Sequence, residues 1–174
     1  MESSASRFGA PEWLVLIGGC CFIAVLAVSA AWEADIRWLH FFQAWMYVAA
    51  IGLSARGSKW GAFIGIAAAG TWDYINLFVT AFLVNGLDQL SQLVHTGQLA
   101  RADLAIAVPA WLSNLMVVAG CVWAYARTSD KRLNDAGRLL LAFAITTGFF
   151  AADMALFQPR YLPLFPRMLH PHWP

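Results

Sequence analysis

Apolar residues gather into long runs at 13–32, 37–55, 60–84, 104–126 and 137–157, with polar and charged residues mostly in the short segments between them. A helix crossing the hydrocarbon core of a bilayer takes about 20 predominantly apolar residues. Only helices and closed barrels satisfy their backbone in that medium. Barrel strands would alternate in polarity over about 10 residues, a pattern absent from all five runs. The sequence therefore predicts an all-α membrane protein, a five-transmembrane-helix bundle over 1–157 with a tail over 158–174. The first run also has the look of a secretory signal, with Arg7 ahead of it and Val28-Ser29-Ala30 near its end. Its length exceeds the usual apolar core of such a signal, so it is expected to be a retained span.

Two segments depart from the simple run-and-loop pattern. Between 85 and 103, Leu87, Leu90, Leu93 and Val94 recur at helical spacing among polar residues, and Gly97 follows. This predicts a short helix in the outer interface, as an anchor or as a lid over an outer-facing site. In the tail, Pro159, Pro163, Pro166, Pro171 and Pro174 favour extended backbone. The same stretch holds Tyr161, Leu162, Leu164, Phe165, Met168, Leu169 and Trp173, too many large apolar groups for a disordered segment. An extended apolar tail is expected to dock on its own bundle, the lipid interface or another subunit.

Composition agrees with a membrane solvent. Hydrophobic residues make up 60% of the chain and charged residues 12%, half the charged share of an average soluble domain, about 25%. The net charge of +1 gives no reason to expect nucleic acid as a partner. Trp13, Trp32, Trp38, Trp60 and Trp123 lie near the ends of runs, where amphipathic rings favour the interface. Cytoplasmic connections collect Lys and Arg. Arg7, Arg56, Lys59, Arg127, Lys131, Arg132 and Arg138 fall on one side, and Arg37, Arg101, Arg160 and Arg167 on the other. That bias puts the N-terminus in the cytoplasm and the C-terminus outside. The Ala-, Gly- and Trp-rich composition with short connections suits a bacterial inner (plasma) membrane.

Asp73 is the costliest residue in the runs, since an ionised carboxylate at mid-span costs about 2.5–3.5 kcal/mol on insertion scales. Gly61, Gly65 and Ala69 lead to it at intervals of four, a stripe that lets helices approach closely. Asp73 is thus expected on a buried helix–helix face, bonded to Asn114 at similar depth, with Trp72, Tyr74, Asn76 and Thr80 nearby. Such a cluster ties helices together or forms a ligand site. Nearer the outer surface, Glu33, His40, Gln43 and Asp153 make either a solvated rim or an acid–base set for a lipid-soluble substrate.

Met168, His170 and His172 form a candidate copper or zinc set with His40 or His95, because thioether sulfur and imidazole suit those metals. His40 has no partner histidine on another run for haem or a pigment, and no cofactor is indicated. Cys20 and Cys21 in the first run resemble the vicinal pair of small mercuric-ion transporters, but no second pair follows. They are expected to be buried small apolar groups. The many tryptophans over five runs resemble the tryptophan-rich translocator proteins, whose Trp- and Pro-rich first loop has no counterpart here. The chain is assigned to no family on these grounds.

No run carries a specific catalytic or transport motif. The first expectation is a non-catalytic subunit or accessory of a larger membrane complex. It would meet membrane lipids all round and other subunits through its tail and the Gly61/Gly65/Ala69 face. The second is a small transporter or binder of a hydrophobic ligand, with Asp73, Asn76 and Asn114 as polar contacts and Tyr74 and Trp72 beside them. The third is an intramembrane enzyme acting on a lipid or isoprenoid-like substrate through Asp73, Glu33, His40 or Asp153. An enzyme or binder needs a cavity, whereas a subunit needs a large apolar surface and none.

Overall fold

The computed structural model describes residues 9–170, and within them every regular element is helical. Helix α1 (Ala10–Trp32) starts with Pro11 in its first turn and the Gly9 N–H donating to Glu12 Oε2 at 2.8 Å, which occupies a donor that the helix leaves free. A short 3₁₀ turn (Ala34–Ile36) then leads into α2 (Arg37–Ala55). Helix α3 (Lys59–Tyr74) is capped by the Ser58 hydroxyl. Next come α4 (Phe82–Thr96), α5 (Ala102–Ala105), α6 (Ala107–Ala126), α7 (Asn134–Phe157) and, in the tail, α8 (Leu164–Arg167). Four segments are long and apolar enough to cross a membrane: Ala10–Trp32, Lys59–Val79, Ala102–Ala126 and Asn134–Phe157. Helix α2 has suitable length, but Trp38, His40, Gln43, Trp45 and Tyr47 lower its mean hydropathy.

Helices α1, α2, α3 and α6 close a ring, each packed on the next, and α7 lies against α3 and α2. Close approach depends on glycine. A Cβ on Gly18 of α1 would sit 2.7 Å from the Ser113 carbonyl oxygen of α6, and one on Gly120 of α6 would sit 2.8 Å from the Pro11 oxygen. A Cβ on Gly61 would strike the Ser54 backbone of α2, and one on Gly65 the Cys121 Sγ of α6. Ala69, next on that stripe, is fully buried. The Gly61/Gly65/Ala69 face is thus covered by the chain's own helices and is not open to another subunit. The core behind these contacts holds Val15, Phe22, Tyr47, Ala68, Val117 and Phe150.

One end of the bundle is closed by charge. Asp135, at the start of α7, accepts from Lys59 Nζ at 2.9 Å, Tyr125 OH at 3.2 Å, the Arg132 N–H at 3.0 Å and Arg138 NH1 at 3.0 Å. Lys59 Nζ also donates to the Asp130 carbonyl. Four donors on one carboxylate join α3, α6 and α7. Among these acids only Asp130 lies in the connection, where the Arg132 guanidinium bonded to it holds it below the ordinary carboxylate range.

Three expectations are corrected by the fold. The third run does not continue as one helix to 84. Its α-helix gives way to a π turn over Ile75–Val79 and breaks at Ala81, which has φ 53°. Helix α4 starts there, so the helix expected around 87–94 begins earlier; its end at Gly97 (φ 70°) is as expected. The tail is not extended: a 3₁₀ turn at Pro159–Tyr161 and α8 give it compact helical turns, because proline fits the first turn of a helix as readily as extended chain. Cys20 and Cys21 are exposed on the outside of α1, and only Cys121 is buried. The tail does dock on its own bundle. Phe165 packs on the core, Tyr74 OH donates to the Met168 carbonyl at 2.7 Å, and Arg160 pairs with Asp35 at 2.7 Å.

Two measurements check this account. Gly61→Leu is expected to lower the melting temperature of detergent-solubilised protein steeply, since overpacking costs about 1–3 kcal/mol even where the displaced atoms are side chains, and here they are backbone. Ala81→Gly is expected to raise stability by about 1 kcal/mol, because it relieves a left-handed residue bearing a Cβ. Both are read by thermal unfolding followed by circular dichroism.

Candidate functional site

The end of the bundle opposite Asp135 is open. There the ends of α1, α3 and α7 and the starts of α2 and α6 diverge around a cavity of about 350 Å³. Its walls are mainly apolar and include Leu26, Ile36, Leu39, Ile106, Phe150 and Met154. Polar groups reach it from four elements. Glu33 comes from the end of α1, His40 and Gln43 from the first turns of α2, Asn76 from the π turn, and Asp103 from α5. Tyr161 and Leu164 of the tail complete the wall.

Local backbone explains how some of these side chains arrive. Asn76 Nδ2 donates to the Trp72 carbonyl at 2.8 Å, and Thr80 Oγ1 donates to the Ile75 carbonyl at 3.2 Å. These bonds line the widened turn and occupy carbonyls around it. The π turn and left-handed Ala81 therefore stand at the cavity wall, and such irregular backbone in helices occurs often at functional sites. On α2, His40 and Gln43 share a face with Leu39 and Tyr47 by helical spacing. Gln43 is buried in the protein yet borders the cavity.

Charge at the mouth is uneven. Asp103 is tied to Arg101 by two bonds, at 2.9 and 2.6 Å, while the Glu33 side chain has no hydrogen bond or ion pair among the described residues. Of the two carboxylates lining the cavity, Asp103 is paired and Glu33 has no bonded cation. No Lys or Arg lines the cavity itself.

Below the cavity lies a separate polar chain. Tyr47 OH donates to Asn114 Oδ1 at 2.8 Å, and Asn114 Nδ2 donates to Asp73 Oδ1 at 3.2 Å. Asn114 and Tyr47 are fully buried and Asp73 is half-buried. The bond expected between Asp73 and Asn114 is therefore present, joining α3 to α6, with Tyr47 of α2 as a third member that sequence spacing did not reveal. Phe22 stacks on Tyr47, with ring centroids 4.3 Å apart, and meets the edge of Trp72 at 5.1 Å. Trp72 lines the cavity, so this aromatic group separates the open space from the polar chain.

The structure regroups the candidate residues. Glu33, His40, Trp72 and Asn76 share the cavity wall. Asp73 and Asn114 face one another below it. Tyr74 turns to the tail through its bond to Met168. Asp153 is buried on α7 beside Met154, and neither of its oxygens has a partner among the described residues. His170 ends the tail's turns, His172 lies outside the described residues, and His95 bonds the Ser91 carbonyl on an exposed face of α4. Among the described residues no group of three His, Cys, Asp or Glu side chains is placed to hold a metal. Sequence reasoning had placed Asp103 only near the outer surface and had missed Asp135; the first needed the fold of α5, the second the packing of α3 on α7.

No protein-family model, no curated protein and no solved structure matches this chain.

The polar chain gives a direct test. Asn114→Leu strands the buried Tyr47 hydroxyl and is expected to cost about 1–3 kcal/mol. Adding Tyr47→Phe should recover a good part of it, giving a non-additive double-mutant cycle in thermal unfolding.

Proposed function

We propose that this chain is a five-span membrane protein that binds a small amphipathic ligand in its outer cavity, with the ligand's apolar body among the helices and a cationic or hydrogen-bond-donating head toward Glu33. The carrying observation is the cavity: mostly apolar walls, a few convergent polar groups, no lining cation and one carboxylate without a partner. Ligand sites have that composition and about that size.

Five spans are favoured over four by how α2 sits. Its start borders the outer cavity and its end borders the small pocket around Ser54 and Lys59 at the other end, so it runs the full depth covered by α1. Its outer face carries Trp38, Phe41, Trp45 and Val48, all about half exposed, at spacings of three and four. A stripe of that kind suits lipid contact better than water. The basic residues clustered at the Asp135 end favour a cytoplasmic position for that end and the N-terminus by the charge rule, with the C-terminal tail and α4 outside. Helix α4, with Leu87, Leu93 and Val94 exposed, then rests in the outer interface. Composition fits a bacterial inner membrane.

A subunit role has less support, since the small-residue stripe and the tail are both engaged within the chain. The buried, unbonded Asp153 beside Met154 gives the enzyme reading one foothold, as a carboxyl group in an apolar setting near the cavity. Asp153 itself does not line the cavity, whereas Glu33 and Asp103 do.

The test is equilibrium binding to protein in nanodiscs, with empty nanodiscs as blank. Dodecylamine is expected to bind about tenfold or more tightly than dodecanoate, because two carboxylates and no Lys or Arg line the cavity. Glu33→Gln should weaken the amine about fivefold, the scale of one partly screened charge contact. Ala110→Phe, which fills the cavity wall from α6, should abolish binding while the helical signal is kept. Equal binding of amine and dodecanoate, or unchanged binding in Ala110→Phe, would remove the proposal.

A further inference from the structure

Outside the ring, a second hollow runs along the lipid-side groove between α1 and α2. It is walled by Ile23, Ala27, Ala30, Ala31, Phe41 and Ala44, with Arg37 at its outer end. Most of these are alanines, so the two helices leave a channel that larger side chains would close. Two residues border both this groove and the inner cavity: Leu26 and His40. The wall between bilayer and ligand space is therefore only those two side chains thick at that point. His40 Nδ1 is buried with no partner, so no bond from that ring nitrogen fixes the side chain there; its other anchor is a backbone hydrogen bond to Leu26.

We infer that the α1–α2 groove is the route by which a single-chain amphiphile passes between the membrane and the cavity, with His40 as the movable part of the wall. The inference rests on the ligand-binding reading above and adds the direction of access and the class of molecule that uses it. The occupant must already be dissolved in the lipid, because the groove faces the acyl chains and is apolar along its length. It must be a single chain, because the groove is a narrow strip between Ala27, Ala30 and Ala31 of α1 and His40, Phe41 and Ala44 of α2. Arg37 stands at the outer end of the groove, next to Trp38 in the sequence. Rotation of His40 about its side-chain bonds opens the passage without moving a helix; side-chain rotamers change far faster than helices shift.

A gate and a binding pocket separate kinetically. Blocking a route slows association and dissociation by the same factor and leaves the equilibrium constant alone, whereas damage to the pocket changes the constant itself. Tritiated dodecylamine is loaded into nanodiscs holding the full chain, and bound label is followed over time by scintillation proximity, with empty nanodiscs as blank. Ala27→Phe, on an exposed position that lines only the groove, is expected to slow both rates about tenfold with Kd unchanged. Ala30→Leu serves as a milder second obstruction should the first fail to fold. His40→Ala removes the movable wall and should speed association about threefold or more. Unaltered rates in the groove variants would overturn the route. A weakened Kd with unaltered association would overturn it as well, showing that the chain lodges in the groove instead of passing through. Absence of any amine binding by the unaltered protein would sink the cavity reading itself, and the route with it.

Discussion

The arrangement depends on how close the helix backbones come at one end. Gly18, Gly61, Gly65 and Gly120 let α1, α2, α3 and α6 meet with almost nothing between them, two of these contacts being glycine against a neighbour's main-chain oxygen. In a medium where burying apolar surface gives no advantage over lipid, association relies on dispersion contacts and hydrogen bonds. Those contacts are densest where side chains are absent. Toward the other end Leu26, Leu39, Ile75, Ile106 and Phe150 stand between the same helices. The helices must diverge there, and divergence leaves the cavity. Tight packing at one end and open space at the other are thus two results of one distribution of residue size.

Polar groups follow the same division. At the tight end, Asp135 is saturated by four donors. At mid-depth, Tyr47, Asn114 and Asp73 pass hydrogen bonds across three helices, each on a different element. At the open end, Gln43 and Glu33 reach the cavity with no protein side chain bonded to them. Gln43 is buried while Glu33 is exposed at the rim, so along the bundle the polar groups change from a saturated carboxylate to groups open to the cavity. The Phe22–Tyr47–Trp72 stack marks the boundary, insulating the mid-depth chain from whatever occupies the space above.

Much of the architecture was legible because the bilayer length sets helix length. Helix α2 coincides with its apolar run, and α1 and α7 start three residues before theirs and end with them. The Asp73–Asn114 bond was legible too, since two polar groups at equal depth in apolar surroundings have few other partners. What failed shows the limit of periodicity. A continuous apolar run hides a backbone break, so the π turn and Ala81 left no trace in the 60–84 stretch. Prolines in the tail pointed to extended chain, although proline equally starts helical turns. Residue type placed Asp73 and Asn76 in one cluster. Yet positions three apart on a helix differ by about 60° around the axis, and here that separation, with the π turn, divides them between α6 and the cavity. Lys59 begins α3 and Asp135 lies in the first turn of α7, and only tertiary packing joins them.

An acidic outer mouth could follow from topology alone, because the charge rule gathers Lys and Arg at the cytoplasmic end and leaves carboxylates on the other. The distinction lies in which of those acids are neutralised locally. Asp35 is paired with Arg160 of the tail, and Asp103 with Arg101. Each pairing uses one of the four outer arginines, so cations are present at this end and are placed against particular acids. Arg101 is near enough for its field to reach Glu33, yet its Nε and NH2 donors both bond Asp103. Glu33 also sits where α1 ends and its own N–H returns to the Ser29 carbonyl, which fixes its position at the cavity rim. Glu33 stands at a fixed point of the cavity wall, with no Lys or Arg lining that wall and apolar residues making up most of it, which is the arrangement that recognition of an amphiphile's head and body requires.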